Sequence, residues 1–174
     1  MKLTADQIFA ISLGAMQVTQ NDGIIQLHRF NREQEELYME ATRLGQRGIT
    51  LIPNKVHSTA GIELRFRTDS PSLLLDLEVK KGSGRSFFAL EVFADGKPAG
   101  AIDNHSGKPL PAVYSALPFE QGNFRKSFDL GPGTKEVRVL LPWSAWPLSS
   151  RYLPYICLST LTFACRLISS SSSS

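Results

Sequence analysis

The chain has 174 residues, of which 42% are hydrophobic and 20% charged, enough apolar side chains for one globular domain with a substantial core. Its formal net charge is only +3, and lysine and arginine are scattered among acidic residues, so the sequence lacks the basic block that binds a nucleic-acid backbone. The two cysteines, Cys157 and Cys165, lie near the carboxyl end, which excludes a disulfide scaffold for the rest of the chain. This usage either fits a reducing compartment or carries no information on the compartment.

The amino-terminal part of the sequence predicts helix, hairpin and helix in turn. The stretch from Thr4 to Gln7 has the spacing of a capping box, which predicts a short helix that ends before Gly14. Asn21-Asp22-Gly23 predicts the turn of a β-hairpin, because such turns need residues that tolerate positive φ. A second box from Asn31 to Gln34 predicts an amphipathic helix that ends near Gly45.

The middle of the sequence predicts strands. Gly61 to Ser70 and Leu73 to Lys81 alternate apolar and polar residues, as strands with one buried face do. Ser86 to Ala94 is apolar on nearly both sides, which predicts a central strand covered on each face. Asp95-Gly96 predicts a tight hairpin. Strands spaced by about 8–12 residues and joined by Gly/Pro turns predict a mostly β fold, an antiparallel sandwich or jelly roll with one or two short amino-terminal helices.

A further hairpin is predicted near residue 130. Phe124 to Leu130 places its apolar residues on one face, with Lys126 out of place, and Lys135 to Leu141 alternates cleanly. Gly131-Pro132-Gly133 between them supplies a fixed φ flanked by two free ones, as a tight reversal needs. The second strand should stop at Pro142, which cannot donate to a ladder.

The two ends of the chain give the predictions on cellular location, membrane spans and order. Asp6-Gln7 interrupts the apolar run that a signal peptide needs, so we expect a cytoplasmic protein. The last 28 residues, 147–174, lack acidic residues and end in a serine run. Their apolar window is shorter than the roughly 20 residues of a membrane span and contains Pro154 and Arg166, so a membrane span is not expected. We therefore predict a sandwich domain over 1–146 and a poorly ordered tail over 147–174.

Three histidines are the first candidates for chemistry. His28, His57 and His105 are far apart and have no cluster of Cys or carboxylates beside them, so neither a metal nor a cofactor is predicted. His28 lies on a predicted strand and should be solvated or contact the neighbouring strand. Asp103, His105 and Ser106 are residue types of a catalytic triad, but a triad assembles in space and this sequence is more simply a turn.

Four aromatic residues are candidate binding residues. Trp143 and Trp146 follow the last predicted strand, and Tyr114 and Phe119 lie in a long loop. Exposed rings of this kind can stack on the C–H face of a sugar. The alternative, favoured here, is that Trp143 closes one end of the sandwich or faces a neighbouring domain.

The order of these motifs resembles the amino-terminal β-sandwich (jelly-roll) domain that precedes the catalytic domain in one branch of the SGNH/GDSL-type esterases. The resemblance covers about residues 12 to 145. Its most specific pieces are Arg67-Thr-Asp-Ser70, Asp95-Gly96 and Leu141-Pro-Trp-Ser144. It implies a non-catalytic companion domain, similar to carbohydrate-binding modules, that supports the hydrolase domain.

The chain departs from that family after about Trp146. It contains neither the Gly-Asp-Ser of the family's nucleophile nor its Asp-x-x-His motif, so whether the chain is an enzyme stays open. We expect a truncated or frame-shifted form of a longer esterase. The expected partners are the SGNH catalytic domain or a carbohydrate, with self-association through an apolar patch around Leu141 to Trp146. The alternatives are a free-standing carbohydrate-binding module and a small enzyme that uses His105, Asp103 and a remote serine.

Overall fold

The computed structural model describes residues 3–21, 23–43, 56, 58–79, 88–109, 122–142 and, for the backbone, 157–163. The helices in these ranges are α1 (Ala5–Ala10) and α2 (Arg32–Arg43). The strands are β1 (Ser12–Leu13), β2 (Gln17–Asn21), β3 (Ile24–His28), β4 (Glu63–Thr68), β5 (Ser72–Val79), β6 (Ala89–Ala94), β7 (Lys97–Asp103), β8 (Gly122–Asp129), β9 (Lys135–Leu140) and β10 (Cys157–Phe163). No helix in the described ranges is long and apolar enough to span a lipid bilayer.

Both predicted capping boxes are present. Thr4 N donates to Gln7 Oε1 at 2.9 Å, and Gln7 N donates back to Thr4 Oγ1 at 3.3 Å. Asn31 and Gln34 make the same reciprocal pair at 3.0 and 2.9 Å ahead of α2. Each box satisfies two backbone N–H donors at a helix start that would otherwise need water.

The strands form two antiparallel sheets that pack face to face. Sheet I has the order β1-β4-β9-β6-β7, and sheet II has the order β2-β3-β10-β5-β8. The pairing is nested along the chain: β6 pairs with β7, β5 with β8, β4 with β9 and β3 with β10. One long two-stranded ribbon is thus rolled so that successive pairs alternate between the sheets, which is the jelly-roll topology. The predicted fold class is confirmed.

The tip of this ribbon is the predicted turn at Asp95-Gly96. Both residues have positive φ, 48° for Asp95 and 75° for Gly96, so the turn twists in the sense that suits a two-residue hairpin. It joins β6 to β7, and Asp95 Oδ1 accepts from Glu136 N at 2.9 Å, which attaches the tip to β9.

The second predicted hairpin, around Gly131-Pro132-Gly133, is wrong. β8 pairs with β5 in sheet II, whereas β9 lies between β4 and β6 in sheet I, so the chain changes sheets at this turn. The local signals of a hairpin and of a corner between sheets are the same glycines and proline. The strands that β8 and β9 pair with distinguish a hairpin from a corner. Here β8 pairs with β5 and β9 pairs with β4, so the turn is a corner.

The corner is held by a buried lysine. β4 and β5 also change sheets, at Asp69 to Pro71, and the two corners lie side by side because both strands of the ribbon turn together. Leu130 N donates to Pro71 O at 2.8 Å. Lys135, only 3% exposed, donates from Nζ to Ser70 O at 2.8 Å and to Gly131 O, so its charge is solvated by the carbonyls of both corners.

The predicted alternation is confirmed in β4 and β5. The side chains that point into one core between the sheets are Leu64 and Phe66 of β4 and Leu73, Leu75, Leu77 and Val79 of β5. Ser86 to Ala94 differs in part from its prediction. Its strand, β6, is internal to sheet I, but only one face is buried, since Glu91 is exposed on the other.

Lys126, the residue out of place in the β8 pattern, also has a structural role. Its Nζ donates to Ala101 O of β7 at 2.7 Å. β7 and β8 are edge strands of different sheets, so this bond joins the two layers where no sheet hydrogen bond can. The ammonium also lies 5.5 Å from the centre of the Phe128 ring, whose side chain is in the core.

Part of the predicted tail belongs to the fold. The domain boundary at residue 146 stays a prediction, but Cys157–Phe163, beyond it, forms β10 in the middle of sheet II. β10 pairs with β3 through Cys157 and Leu158 and with β5 along most of its length. Three of the seven residues, Thr160, Thr162 and Phe163, are β-branched or aromatic types that suit a strand.

Candidate functional site

A single row of side chains crosses the outer face of sheet I. The register places Leu13 beside Glu63, Glu63 beside Leu140, and Leu140 beside Glu91, on four consecutive strands. A groove of about 400 Å³ lies along this row, with Leu140 and Leu141 among its apolar lining and the two glutamates on either side. We call this feature the sheet I groove.

The charged rows below the groove are paired across β4 and β9. Arg65 and Arg138 are directly opposite each other, which would be unfavourable without counter-charges. Diagonal contacts supply them: Arg138 Nη2 donates to Glu63 Oε2 at 2.7 Å, and Arg65 Nη2 donates to Glu136 Oε1 at 2.8 Å. The hydrogen bond to Glu63 and its charge raise the pKa of Arg138 further above its ordinary value.

Three large apolar side chains in and around β1, the edge strand of sheet I, are exposed. Phe9, Leu13 and Met16 are 45%, 50% and 55% exposed, and Leu13 borders Glu63 of the groove. We call these three residues the apolar edge.

The apolar patch predicted around Leu141 to Trp146 is not exposed where the structure describes it. Leu141 and Pro142 are buried, because the chain leaving β9 is tied to the segment before β4. Leu141 N donates to Ile62 O at 3.1 Å, and Thr59 Oγ1 donates to Pro142 O at 2.7 Å.

A polar cluster lies on the outer face of sheet II. His28 is 8% exposed, so the prediction of a solvated histidine is wrong and that of a cross-strand contact is right. His28 Nε2 is 2.9 Å from Thr19 Oγ1 of β2, and His28 Nδ1 is 3.0 Å from Glu35 Oε1 in the first turn of α2. The structure therefore assembles a hydroxyl, an imidazole and a carboxylate in one chain of contacts.

The sequence could predict the contact of Thr19 with His28 but not that of Glu35. The Asn21-Asp22-Gly23 turn fixes the β2–β3 register, which pairs Thr19 with Gln26 and so places Thr19 diagonal to His28. The position of Glu35 depends on how α2 lies against the sheet, and no local pattern predicts that packing.

The other triad-like residues form a turn, as the sequence favoured. Asp103 accepts from the backbone N–H groups of His105 and Ser106 and from the Ser106 hydroxyl. Burial alone would raise the pKa of Asp103, but these hydrogen bonds, with that of Ser106 the largest, outweigh it and hold the pKa below its ordinary value. The hydroxyl is thus bonded to the carboxylate and not to the imidazole, which is not the order that a triad requires.

The remaining predicted site residues are not tested. Trp143, Trp146, Tyr114 and Phe119 lie outside the described residues, and so does His57. Among the residues that are described, no group of three His, Cys, Asp or Glu side chains has the geometry to hold a metal ion.

Comparison with known proteins finds a solved structure with a similar fold. No protein-family model matches the chain, and no curated protein matches it significantly. Among solved structures, the chain is similar to the salicylyl-acyltransferase SsfX3 from a tetracycline biosynthetic pathway, with a TM-score of 0.59 and 22% identity over 93% of this chain and 39% of that one. A putative GDSL-like lipase from Bacteroides ovatus has a TM-score of 0.47 and 16% identity over 91% of this chain and 40% of that one. The chain therefore spans about two-fifths of the length of each.

Proposed function

We propose that this chain is a non-catalytic accessory domain that works together with an SGNH-type hydrolase or acyl-transferring domain. The observation that carries the proposal is the fold shared with the salicylyl-acyltransferase, which extends over 93% of this chain but only 39% of the larger protein. The order of the motifs from residue 12 to 145 supports the same family. The jelly roll has a hydrophobic core of its own, as a separate domain does, and its proposed role in a larger enzyme is to pack against and support the catalytic domain.

The chemistry of the sequence supports a non-catalytic role. Neither Gly-Asp-Ser nor Asp-x-x-His occurs in it. The local candidate for a triad, at Asp103 to Ser106, has its hydroxyl bonded to the carboxylate. Sustained ester hydrolysis by the isolated chain is therefore not expected.

The surface proposed to meet the catalytic domain is the sheet I groove together with the apolar edge. Exposed apolar side chains at Phe9, Leu13 and Met16 provide the hydrophobic contact. Glu91 is exposed and has no ion-pair partner among the described residues, so it offers a contact to a basic side chain at the rim. Contact with a carbohydrate substrate remains the finer proposal and depends on Trp143, Trp146, Tyr114 and Phe119.

The test begins with the encoding DNA, read in all three frames past codon 145. The proposal expects a hydrolase domain that opens with Gly-Asp-Ser, and its absence from every frame would count heavily against it. That hydrolase domain, expressed separately, should bind this chain. Leu13→Arg should weaken binding at least about tenfold, because it places a charge in the apolar contact. The matched control is Ser127→Arg on the exposed face of β8, in the other sheet, which should leave binding unchanged.

Titration with sugars, followed by tryptophan fluorescence, tests the finer proposal. A ring stacked on a sugar should shift its emission, and Trp143→Ala or Trp146→Ala should abolish the shift. An unchanged spectrum over the whole titration would leave the partner domain as the only proposed contact.

A further inference from the structure

The polar cluster on sheet II has the connectivity of an activated hydroxyl. Thr19 Oγ1, His28 and Glu35 follow one another at 2.9 and 3.0 Å, with the imidazole in the middle and a different ring nitrogen at each contact. The side chain of His28 is 10% exposed and that of Glu35 is 19% exposed, so water screens the contact between them only weakly.

The contacts fix the tautomer of the imidazole. A carboxylate only accepts hydrogen bonds, so the proton of the neutral ring must be on Nδ1, facing Glu35. Nε2 then has its lone pair towards Thr19, whose hydroxyl donates to it. Gln26 Nε2 is 3.4 Å from Nδ1, too long a contact to compete with the one to Glu35.

The position of Thr19 leaves its hydroxyl within reach of a reagent. β2 is an edge strand of sheet II, and Thr19 is half-buried on it, whereas His28 behind it is buried. Glu35 is positioned independently of the strands, since Glu35 N donates to Asn31 O at 3.0 Å in the first turn of α2. The three groups therefore come from three separate elements and converge on one hydroxyl at the border of the sheet.

We propose that Thr19 is a nucleophile that accepts an acyl group from an activated ester. In the step, the Thr19 Oγ1–carbonyl carbon bond forms and the Oγ1–H bond breaks, with the proton moving to His28 Nε2. The bond from the carbonyl carbon to the leaving oxygen then breaks, and the imidazolium returns the proton to that oxygen. Glu35 is a positioning residue, which holds the productive tautomer and stabilises the transient imidazolium.

The proposal does not depend on the accessory role argued above, and the two are distinguishable in one experiment. The full chain is incubated with p-nitrophenyl acetate, and release of nitrophenolate is followed together with intact mass. A release that stops at one acyl group per chain fits both proposals. Sustained turnover that is lost in His28→Gln would overturn the non-catalytic role while supporting the nucleophile.

Peptide mapping then locates the acetyl group, and hydroxylamine separates esters, which it cleaves, from acetylated amines, which it does not. Thr19 should be acylated about 100-fold faster than Ser127, an exposed serine on the opposite edge strand of the same sheet, because general-base assistance gives an advantage of that order. Thr19→Ser should keep the reaction, and Thr19→Val should abolish it.

Glu35→Gln should slow acylation of Thr19 while retaining a hydrogen bond to Nδ1, which a purely structural role would not predict. Circular dichroism confirms that each variant is folded, and the Thr19-to-Ser127 ratio in the unmodified chain remains decisive if His28→Gln does not fold. Equal labelling of Thr19 and Ser127, or undiminished labelling of Thr19 in a folded His28→Gln, would overturn the proposal.

Discussion

The outer faces of the two sheets differ in what covers them. Both carry polar residues at alternate positions, as strands with a buried inner face should. On sheet I these residues form the exposed ladder of Arg65, Glu136 and their neighbours, where the Arg65 and Glu136 side chains are 50% and 42% exposed. On sheet II, His28 and Gln26 occupy equivalent positions but are buried, with Glu35 of α2 in contact with His28. The same alternation therefore gives a solvated face in sheet I and, where α2 contacts β3, a buried polar cluster in sheet II.

The difference matters because burial changes the energetic consequence of a polar contact. An exposed ion pair exchanges water for a partner at little net gain. A buried polar group that loses its partner has no water to replace it, so the free energy of unfolding falls by the full cost of the missing hydrogen bond. The buried polar side chains around His28 and at the corner should thus be sensitive to substitution, and the exposed ones on sheet I tolerant.

The largest expected effect is at Lys135, which is buried like His28 but lies at the corner between the sheets. Lys135→Met keeps the aliphatic stem and removes two charged hydrogen bonds, to Ser70 O and Gly131 O, so we expect a loss of about 3 kcal/mol in the free energy of unfolding. Denaturant titration measures it. Lys126→Met, which removes one bond from an exposed ammonium, should change stability by only about 0.5 kcal/mol. Equal effects at the two lysines would contradict the role of burial.

The next effect compares the two faces directly. His28→Leu keeps most of the volume but leaves Thr19 and Glu35 without the imidazole, at an expected cost of about 2 kcal/mol. Arg65→Leu on the open face removes an exposed pair with Glu136 and should cost about 0.5 kcal/mol. Thermal or denaturant unfolding of both variants checks the ratio. A larger loss for Arg65→Leu would show that the ladder, and not the covered cluster, stabilises the outer faces.

The smallest effect is expected at Asp103, a carboxylate at the end of β7 whose side chain is only 9% exposed. Its hydrogen bonds hold the pKa in the folded state below the ordinary value of 3.8, so it stabilises the fold above that pH. This contribution is lost as the pH falls below about 3.8 and through the pKa of the folded state. Acid unfolding of Asp103→Asn should therefore be less steep than that of the unmodified chain. Ser106→Ala, which removes the hydroxyl but keeps the carboxylate, should lie between the two, and identical acid titrations would refute the assignment.

Local signals in the sequence predicted local structure well. The boxes at Thr4 and Asn31 were confirmed because their hydrogen bonds join residues three apart, and the Asp95-Gly96 hairpin because positive φ at both residues is a local demand. The fold class followed from the strand spacing and is confirmed too.

Predictions failed where partners come from elsewhere in the chain. Gly131-Pro132-Gly133 satisfies the same local rules in a hairpin and in a corner, and only the pairing of β9 with β4 distinguishes them. The cross-strand contact of His28 was predicted, but its burial was not, because the strand pattern does not contain α2. In the cluster with Thr19 and Glu35, only the position of Thr19 relative to His28 could be predicted, because it follows from the β2–β3 register. The expected roles of Trp143 and Trp146 remain predictions.

The nested ribbon has a consequence for how the protein is made. β10 separates β3 from β5 in sheet II, so Gln26, near the beginning of the chain, is joined to Cys157, near the end. While a ribosome is still synthesising the later residues, both flanking strands present open edges with unpaired backbone groups. Nascent chains in this state are exposed to aggregation and to chaperones, and closing contacts between such distant segments is slow. These edges can close only after residues 157–163 have been synthesised and β10 has paired with β3 and β5.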